Sequence, residues 1–209
     1  MRVLPTVSDW VLGRRVYRRF ASRPGAGHIA TSRALACLAA VVRRHRPKEV
    51  VEFGAGIGTL TYLLLSASPE TKVVAIEANP FCLDQMAKNI PDDLKPRLTL
   101  TTVNDAQLDR RFDLIVIDGD YESNRKRAFL LPDTICFIEG TRERQADLLK
   151  AMVAERGLSI DLDPQFAWMR RVHWYKTRLP LVWAPSIRRS NSCKIGLLTR
   201  EKSALLPAQ

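Results

Sequence analysis

Short apolar runs alternate with amphipathic stretches through most of this chain. Runs that predict strands cover residues 50–53, 72–77, 98–103, 112–120 and 134–140. Helix-compatible stretches stand between the first of these runs, at 59–65 and 81–89. Runs that are apolar throughout suit strands buried on both faces, and alternation with helices indicates a parallel sheet. We therefore predict an α/β fold: a doubly wound, mostly parallel sheet with helices on both faces and a ligand site above the carboxyl ends of the strands.

The end of the first predicted strand carries the most specific motif. Glu52 is followed by glycines at alternate positions, Gly54, Gly56 and Gly58. Such a turn lets a ligand approach the backbone where a side chain would block it. A dinucleotide fingerprint would place its third glycine at position 59, where this chain has threonine. The second strand ends in Glu77, where an acid can accept hydrogen bonds from the ribose hydroxyls of a nucleoside.

Taken in order, these segments resemble the class I S-adenosylmethionine-dependent methyltransferases, whose first motif is acid-x-Gly-x-Gly-x-Gly. The resemblance extends over about residues 30–160. It implies a Rossmann-like, seven-stranded sheet with an antiparallel C-terminal hairpin, and S-adenosyl-L-methionine as the cofactor. The glycines would line its methionine and ribose, Glu77 would take the ribose hydroxyls, and Asp105 would meet the adenine amino group. The full implied set is Glu52, Gly54, Ala55, Gly56, Gly58, Glu77, Ala78, Asn104, Asp105, Ala106 and Asp118.

The end of the fourth strand bears on the methyl acceptor. Enzymes that methylate the exocyclic amines of nucleobases often carry Asn/Asp-Pro-Pro-aromatic here, whereas this chain has Asp118-Gly119-Asp120-Tyr121. That sequence resembles the Asp-Gly-Asp-His of small-molecule O-methyltransferases, some of which hold a divalent cation. Tyr121 replaces the histidine, and Glu139 stands where metal-dependent relatives tend to have aspartate.

Two interpretations of these acids remain open. Asp118, Asp120 and Glu139 could form an oxygen site suited to Mg²⁺. We instead predict a metal-independent enzyme, in which Asp118 helps to hold the cofactor and Asp120 is the leading candidate base. His28 and His173 are the next candidate bases, although either could be an ordinary surface or packing residue.

The C-terminal part contains two further predicted strands, at 158–162 and 194–199. Residues 164–192 would then be an insertion, and it holds three of the four tryptophans. Long loops in compact domains are usually functional or disordered. With Arg170 and Arg171 close to its aromatic residues, the insertion could form a wall for an anionic or aromatic acceptor. A structural flap or a dimer contact is the alternative.

Charge distinguishes the N-terminus. The chain of 209 residues has a formal net charge of +11, and four of its arginines lie at positions 14, 15, 18 and 19. On a helical wheel Trp10, Val16, Tyr17 and Phe20 fall opposite these arginines. The pattern predicts either an interfacial helix for an anionic membrane or a helix that packs its aromatic side on the domain. Nucleic acid is a less favoured partner, because the charge is scattered and no RNA-binding module is evident.

Composition fits one cytoplasmic domain. The four dispersed cysteines predict core thiols, no signal peptide is evident, and the longest apolar stretch, 34–42, is too short to span a bilayer. We divide the chain into a basic amphipathic segment (1–29), a methyltransferase domain (30–200) and a tail (201–209). The predicted function is O-methylation of a small-molecule or lipid- or glycan-linked acceptor. Alternatives are a non-catalytic S-adenosylmethionine-binding or scaffold protein and an RNA or protein methyltransferase; a homo-oligomer is compatible with either.

Overall fold

The computed structural model describes residues 5–102, 108, 110–119, 135–139 and 151, together with two strands near the C-terminus. The described α-helices are α1 Val7–Phe20, α2 Ser32–His45, α3 Thr59–Ala67 and α4 Pro80–Asn89. The described strands are β1 Glu49–Phe53, β2 Lys72–Ile76, β3 Leu98–Thr101, β4 Leu114–Ile117, β5 Ile135–Ile138, β6 Ser159–Leu162 and β7 Pro185–Arg188. The first five strands therefore lie where the apolar runs predict them, and α3 and α4 lie at the helix-compatible stretches 59–65 and 81–89.

A five-stranded parallel sheet organises the fold, with strand order β3-β2-β1-β4-β5. β1 is central, and Phe53 at its carboxyl end is in register with Ile76 of β2 and Ile117 of β4. The chain adds strands on one side of β1 and then on the other, so the strand order reverses between β1 and β4. Ligands of open α/β sheets bind above such a reversal point. The parallel sheet and its Rossmann-like order are confirmed.

The C-terminal strands differ from the sequence-based expectation. β6 pairs antiparallel with β7 in a separate two-stranded sheet, with Ser159 opposite Arg188 and Leu162 opposite Pro185. β7 lies inside the stretch that we predicted to be an insertion, and the predicted strand at 194–199 lies outside the described residues. Proline weakens a strand signal, but Pro185 is the first residue of β7, a position that strands tolerate. The single seven-stranded sheet is therefore not confirmed.

α1 packs closely on α2. A Cβ at Gly13 would lie 2.6 Å from the backbone nitrogen of Ala36, so glycine is what permits this approach. Val16 and Phe20 are fully buried in the same core cluster as α2 and α3. Of the two alternatives for this helix, packing of its aromatic side on the domain holds for Val16 and Phe20 but not for Trp10 and Tyr17, which are each 38% exposed. The buried residues instead fall at every third or fourth position from Asp9 to Phe20.

Two side chains next to the strands, Asp113 and Arg97, form hydrogen bonds that connect neighbouring elements of the fold. Asp113, just before β4, accepts hydrogen bonds from the backbone amides of Lys48 and Glu49 at 2.9 and 3.1 Å. Arg97 donates to the carbonyl oxygens of Leu65, Ser68 and Thr71, all at 2.9 Å, and so closes the C-terminal end of α3. These contacts fix the start of β1 and the C-terminal end of α3, the two ends that lie away from the glycine turn.

The described cysteines, Cys37, Cys82 and Cys136, are free thiols; Cys37 and Cys136 are buried, as predicted for core cysteines. Within the described part of the chain, none of the helices has the length and apolar character needed to cross a bilayer.

Candidate functional site

The glycine turn between β1 and α3 forms the centre of the candidate site. Gly54, Gly56 and Gly58 have φ angles of +79°, +55° and +93°, in the left-handed region that favours glycine. The amides of Gly54 and Ala55 donate to the Ile76 carbonyl oxygen at 3.0 and 3.1 Å, which holds the turn against the end of β2. A Cβ built on Gly56 would meet no atom within 4 Å. The turn therefore presents open space at its middle glycine.

The end of β4 touches the start of this turn. A Cβ on Gly54 would lie 2.3 Å from the Cα of Gly119, and a Cβ on Gly119 would lie 2.6 Å from the Cα of Gly54. The amides of Asp118 and Gly119 both donate to the carbonyl oxygen of Phe53 at 2.9 Å. Two glycines therefore allow the β1 and β4 ends to meet backbone to backbone, and Asp118 is held beside the turn. Sequence reasoning read the Asp-Gly-Asp stretch for its acids and missed the role of Gly119.

Glu77 connects the glycine turn to the segment after β2. Its Oε2 accepts a hydrogen bond from the Gly56 amide at 2.7 Å, and its Oε1 accepts from the amides of Ala78 and Asn79 at 2.8 and 2.9 Å. A carboxylate offers about four lone-pair positions, so three are in use and one remains for a ligand. Binding both hydroxyls of a ribose would require Glu77 to release one backbone amide.

Glu52 lies beneath the turn. Its side chain is fully buried, and its Oε2 accepts a hydrogen bond from the Thr61 hydroxyl at 2.6 Å. Its Oε1 has no hydrogen-bond partner, nor has the buried Oγ1 of Thr59. Burial raises the pKa of Glu52 to about 8; the Thr61 hydrogen bond opposes the rise, and the charges of Asp118 and Glu77 add to it. Glu52 is therefore a neutral acid at pH 7, with hydrogen-bonding capacity left over at the β1–α3 junction.

The rim of the turn is formed by residues from the N-terminal part of the chain and from α4. A Cβ on Gly25 would lie 2.8 Å from Ile57 and 2.9 Å from Phe81, so the segment that follows α1 passes over both. The Asn89 side chain donates to the carbonyl oxygen of Ile57 at 3.1 Å. Arg19 of α1 donates in turn to the Asn89 carbonyl oxygen at 3.3 Å. α1 is thereby linked to the glycine turn through α4.

The described residues include part of the predicted catalytic set. His28 is exposed in the short 3-10 turn Ala26–His28, on the segment that passes over the rim. Glu139 follows β5 and is buried. Asn104, Asp105, Ala106, Asp120 and His173 lie outside the described residues. Within the described residues, no cluster of three or more histidine, cysteine, aspartate or glutamate side chains could hold a metal ion. The roles assigned to these residues remain predictions.

Comparison with known proteins agrees with this geometry. The family model of the methyltransferase small domain matches residues 28–131, which include the turn, Glu77 and the end of β4. The chain belongs to the class I S-adenosylmethionine-dependent methyltransferases. It is an enzyme of this family, with S-adenosyl-L-methionine as its cofactor. No curated protein sequence matches the chain significantly.

Solved structures show the same fold. An O-methyltransferase from Bacillus cereus in complex with S-adenosylhomocysteine is 21% identical, with a TM-score of 0.53 over 76% of this chain and 84% of that one. A proposed caffeoyl-CoA O-methyltransferase from Staphylococcus aureus is 15% identical, with a TM-score of 0.59 over 84% and 91% of the two chains. A proposed RNA methyltransferase from Pyrococcus horikoshii is 13% identical, with a TM-score of 0.53 over 73% and 88%. At these identities the likeness establishes the fold and leaves the acceptor open.

The residues present fit the cofactor of this family. Open space at Gly56 admits a ligand close to the backbone, and Glu77 keeps one lone-pair position for a hydroxyl. The unpartnered Oε1 of Glu52 and Oγ1 of Thr59 lie at the same strand–helix junction. α3 begins after Gly58 without a side-chain cap, so its first amides remain available to an anionic group such as a carboxylate.

Proposed function

We propose that this enzyme methylates a hydroxyl oxygen of a small-molecule acceptor or of a lipid- or glycan-linked acceptor. The observation that carries the proposal is the backbone contact between Gly54 and Gly119, because it holds Asp118 and Gly119, the residues before Asp120 in the sequence, at the glycine turn. When bound, S-adenosylmethionine supplies an electrophilic methyl group on a sulfonium. A hydroxyl acceptor must lose its proton in the reaction, so a base at this edge is what the chemistry needs.

Different residues of the protein would bind the cofactor and remove the proton of the acceptor. The turn and Glu77 hold the nucleoside, with Asn104, Asp105 and Ala106 assigned to the adenine side. Asp118 helps to orient the methionine end, since its backbone is fixed to Phe53. Asp120 accepts the proton of the acceptor, and His28 and His173 are the next candidates for that role. Positioning supplies the rest of the rate enhancement, because methyl transfer is an in-line displacement.

The acceptor wall is assigned to the part of residues 164–192 that precedes β7. Their sequence combines tryptophans with Arg170, Arg171, Lys176 and Arg178, which suits an anionic or aromatic acceptor. This assignment rests on composition and on the family's need for an acceptor site beside the cofactor.

The reaction is proposed to proceed without a divalent cation. Tyr121 stands where metal-dependent relatives have histidine, and glutamate rather than aspartate follows β5. Activity that is lost to EDTA and restored by Mg²⁺ would overturn this part of the proposal and would favour an oxygen site made by Asp118, Asp120 and Glu139 instead.

The experiment is cofactor turnover to S-adenosylhomocysteine with a panel of phenols, hydroxy acids, lipid-linked sugars, amines, peptides and RNA. We expect turnover with one of the hydroxyl acceptors. Asp120→Asn should lower kcat about 100-fold or more and leave cofactor affinity within about twofold, because it removes a proton acceptor while nearly preserving shape. Asp93→Asn makes the same change at an exposed acid of the α4–β3 connection and should retain full activity.

Two results would contradict the proposal. Turnover confined to amines, peptides or RNA would reject O-methylation while leaving the methyltransferase assignment intact. Full activity of Asp120→Asn would move the base elsewhere, and His28→Gln and His173→Gln would then be compared in the same assay.

A further inference from the structure

α1 is built into the fold independently of any partner. The hydroxyl of Thr6 accepts a hydrogen bond from the Asp9 amide, and the Asp9 carboxylate accepts one from the Thr6 amide at 2.7 Å, which closes a capping box. Asp9 is buried and also pairs with Arg43 of α2 at 3.0 Å. With Gly13 seated against α2, the helix has one fixed rotation about its axis, and the same residues always face outward.

The outward residues form a stripe that we name the outer face: Val7, Val11, Arg14 and Arg18. These positions lie within about 60° of one another on a helical wheel, opposite the buried positions of the helix. Val7 and Val11 are 81% and 62% exposed, although aliphatic side chains are normally buried in a helix of this kind. The outer face therefore begins as an apolar surface and continues as a cationic one.

The flanks of the outer face have the same mixed character. Trp10 and Tyr17, each 38% exposed, border it on one side, and the exposed Arg15 borders it on the other. Asp9 is the acidic residue of α1, and its carboxylate points into the fold toward Arg43. Arg19 is directed elsewhere, because its guanidinium stacks over the Tyr62 ring at 4.7 Å. No acidic side chain of α1 therefore neutralises the arginines of the outer face.

We propose that the outer face of α1 docks on an anionic membrane surface. The charge is complementary, since arginines are drawn to acidic headgroups and the whole chain carries a net charge of +11. The exposed valines favour a membrane over a nucleic acid. They would add no affinity for a phosphate backbone, whereas the boundary between lipid headgroups and acyl chains would bury them. Tryptophan and tyrosine at the edge of the face fit the same boundary, because each has an apolar ring and a polar atom.

The helix that would dock on the membrane is joined by a short stretch of chain to the rim of the methyltransferase site. Four residues separate the end of α1 at Phe20 from Gly25, which lies against Ile57 and Phe81 at the rim of the glycine turn. A lipid-linked acceptor held in the bilayer would thus meet the enzyme on the segment that leads to the turn. This consequence rests on the proposed function; the docking itself does not.

The test is flotation of the full-length protein with vesicles of phosphatidylcholine, alone or mixed with phosphatidylglycerol, in the absence of cofactor and acceptor. We expect binding to the mixed vesicles and little to phosphatidylcholine alone. Arg14→Glu/Arg18→Glu should weaken binding at least about tenfold. Val7→Gln/Val11→Gln should weaken it on the order of tenfold, since it removes the apolar contribution but keeps the charge and a good helix former. Lys48→Glu/Lys72→Glu reverses two exposed charges at the starts of β1 and β2 and should bind as the wild type does.

Each alternative partner gives a different result, and each such result overturns the proposal. If the arginine variant fails to bind but the valine variant binds fully, the face recognises charge alone; homopolymeric RNA is then the probe for a nucleic-acid partner. A self-associated wild type that dissociates in the valine variant would identify a second copy of the chain as the occupant. Equal binding to both vesicle types would show that the negative charge of phosphatidylglycerol does not contribute to docking. Circular dichroism of every variant confirms that the fold is retained.

Discussion

Replacing Glu52 with glutamine tests the electrostatics of the site most directly. The carboxyl of Glu52 is fully buried, is hydrogen-bonded to Thr61 on one oxygen and has a pKa raised by burial to about 8 from an ordinary value of 4.5. Glutamine has nearly the same shape and cannot ionise. The substitution therefore removes the titration of this group and little else.

The sign of the effect follows from proton linkage. Between pH 4.5 and 8 the folded protein holds a proton on Glu52 that the unfolded chain has lost, so stability falls as pH rises. The contribution is complete below about pH 4.5 and is lost once the pH exceeds about 8. The interval between the two pKa values, at about 1.4 kcal/mol per pH unit, corresponds to a change on the order of 5 kcal/mol in the free energy of unfolding.

The assay is urea denaturation of both proteins, followed by tryptophan fluorescence from about pH 5 to about pH 9. Other carboxyls also titrate, but they are common to both proteins and cancel in the difference. We expect Glu52→Gln to gain stability relative to the wild type as the pH rises, by several kcal/mol over the range. Glu70→Gln changes an exposed carboxyl and should follow the wild type. Parallel profiles for wild type and Glu52→Gln would refute the reasoning, because they would mean that Glu52 is ionised in the folded state.

Three further substitutions test the turn and its neighbours. Glu77→Ala should weaken S-adenosylmethionine binding by about 2–4 kcal/mol, measured by calorimetry, because it removes a hydroxyl acceptor and frees the Gly56 amide; unchanged affinity would contradict the assignment. Gly119→Ala should lower thermal stability by about 1–3 kcal/mol, because its Cβ meets the Gly54 backbone, whereas Gly27→Ala has open space and should be nearly neutral; equal melting temperatures would count against the contact. Gly56→Val should leave a folded protein that no longer binds the cofactor, and normal binding would mean that the turn does not face the ligand.

Local pattern was enough to predict most of the N-terminal half of the fold. Four of the five apolar runs are strands that are largely buried, and such strands give a continuous signal that needs no tertiary information. The fifth, β3, lies at the edge of the sheet and is only partly buried, but its apolar residues still predicted a strand. The glycines at 54, 56 and 58 were informative for the same reason, since a positive φ is a property of one residue at a time.

Contacts between distant segments could not be predicted in this way. The role of Gly119 depends on β4 lying beside β1, which joins residues that are far apart in the sequence. The orientation of α1 was predicted only in part: Val16 and Phe20 are buried, but Gly13 rather than an aromatic residue sets the contact with α2. A helical wheel weights large apolar residues, so it grouped Trp10 and Tyr17 with Val16 and Phe20 and gave no weight to glycine.

The sheet order also explains why the site suits a cationic ligand. Glu52, Glu77 and Asp118 come from the ends of three adjacent strands, and the latter two raise the pKa of the first. Carboxylates that converge cannot all ionise at low free-energy cost, and the proton on Glu52 removes one of the three charges. A positively charged ligand above the turn would be attracted to the carboxylates of the other two acids. The sulfonium of S-adenosylmethionine carries such a charge, whereas S-adenosylhomocysteine does not. We therefore expect the two acids to bind the substrate form of the cofactor more tightly than its product, which would favour exchange of S-adenosylhomocysteine for S-adenosylmethionine after each turnover.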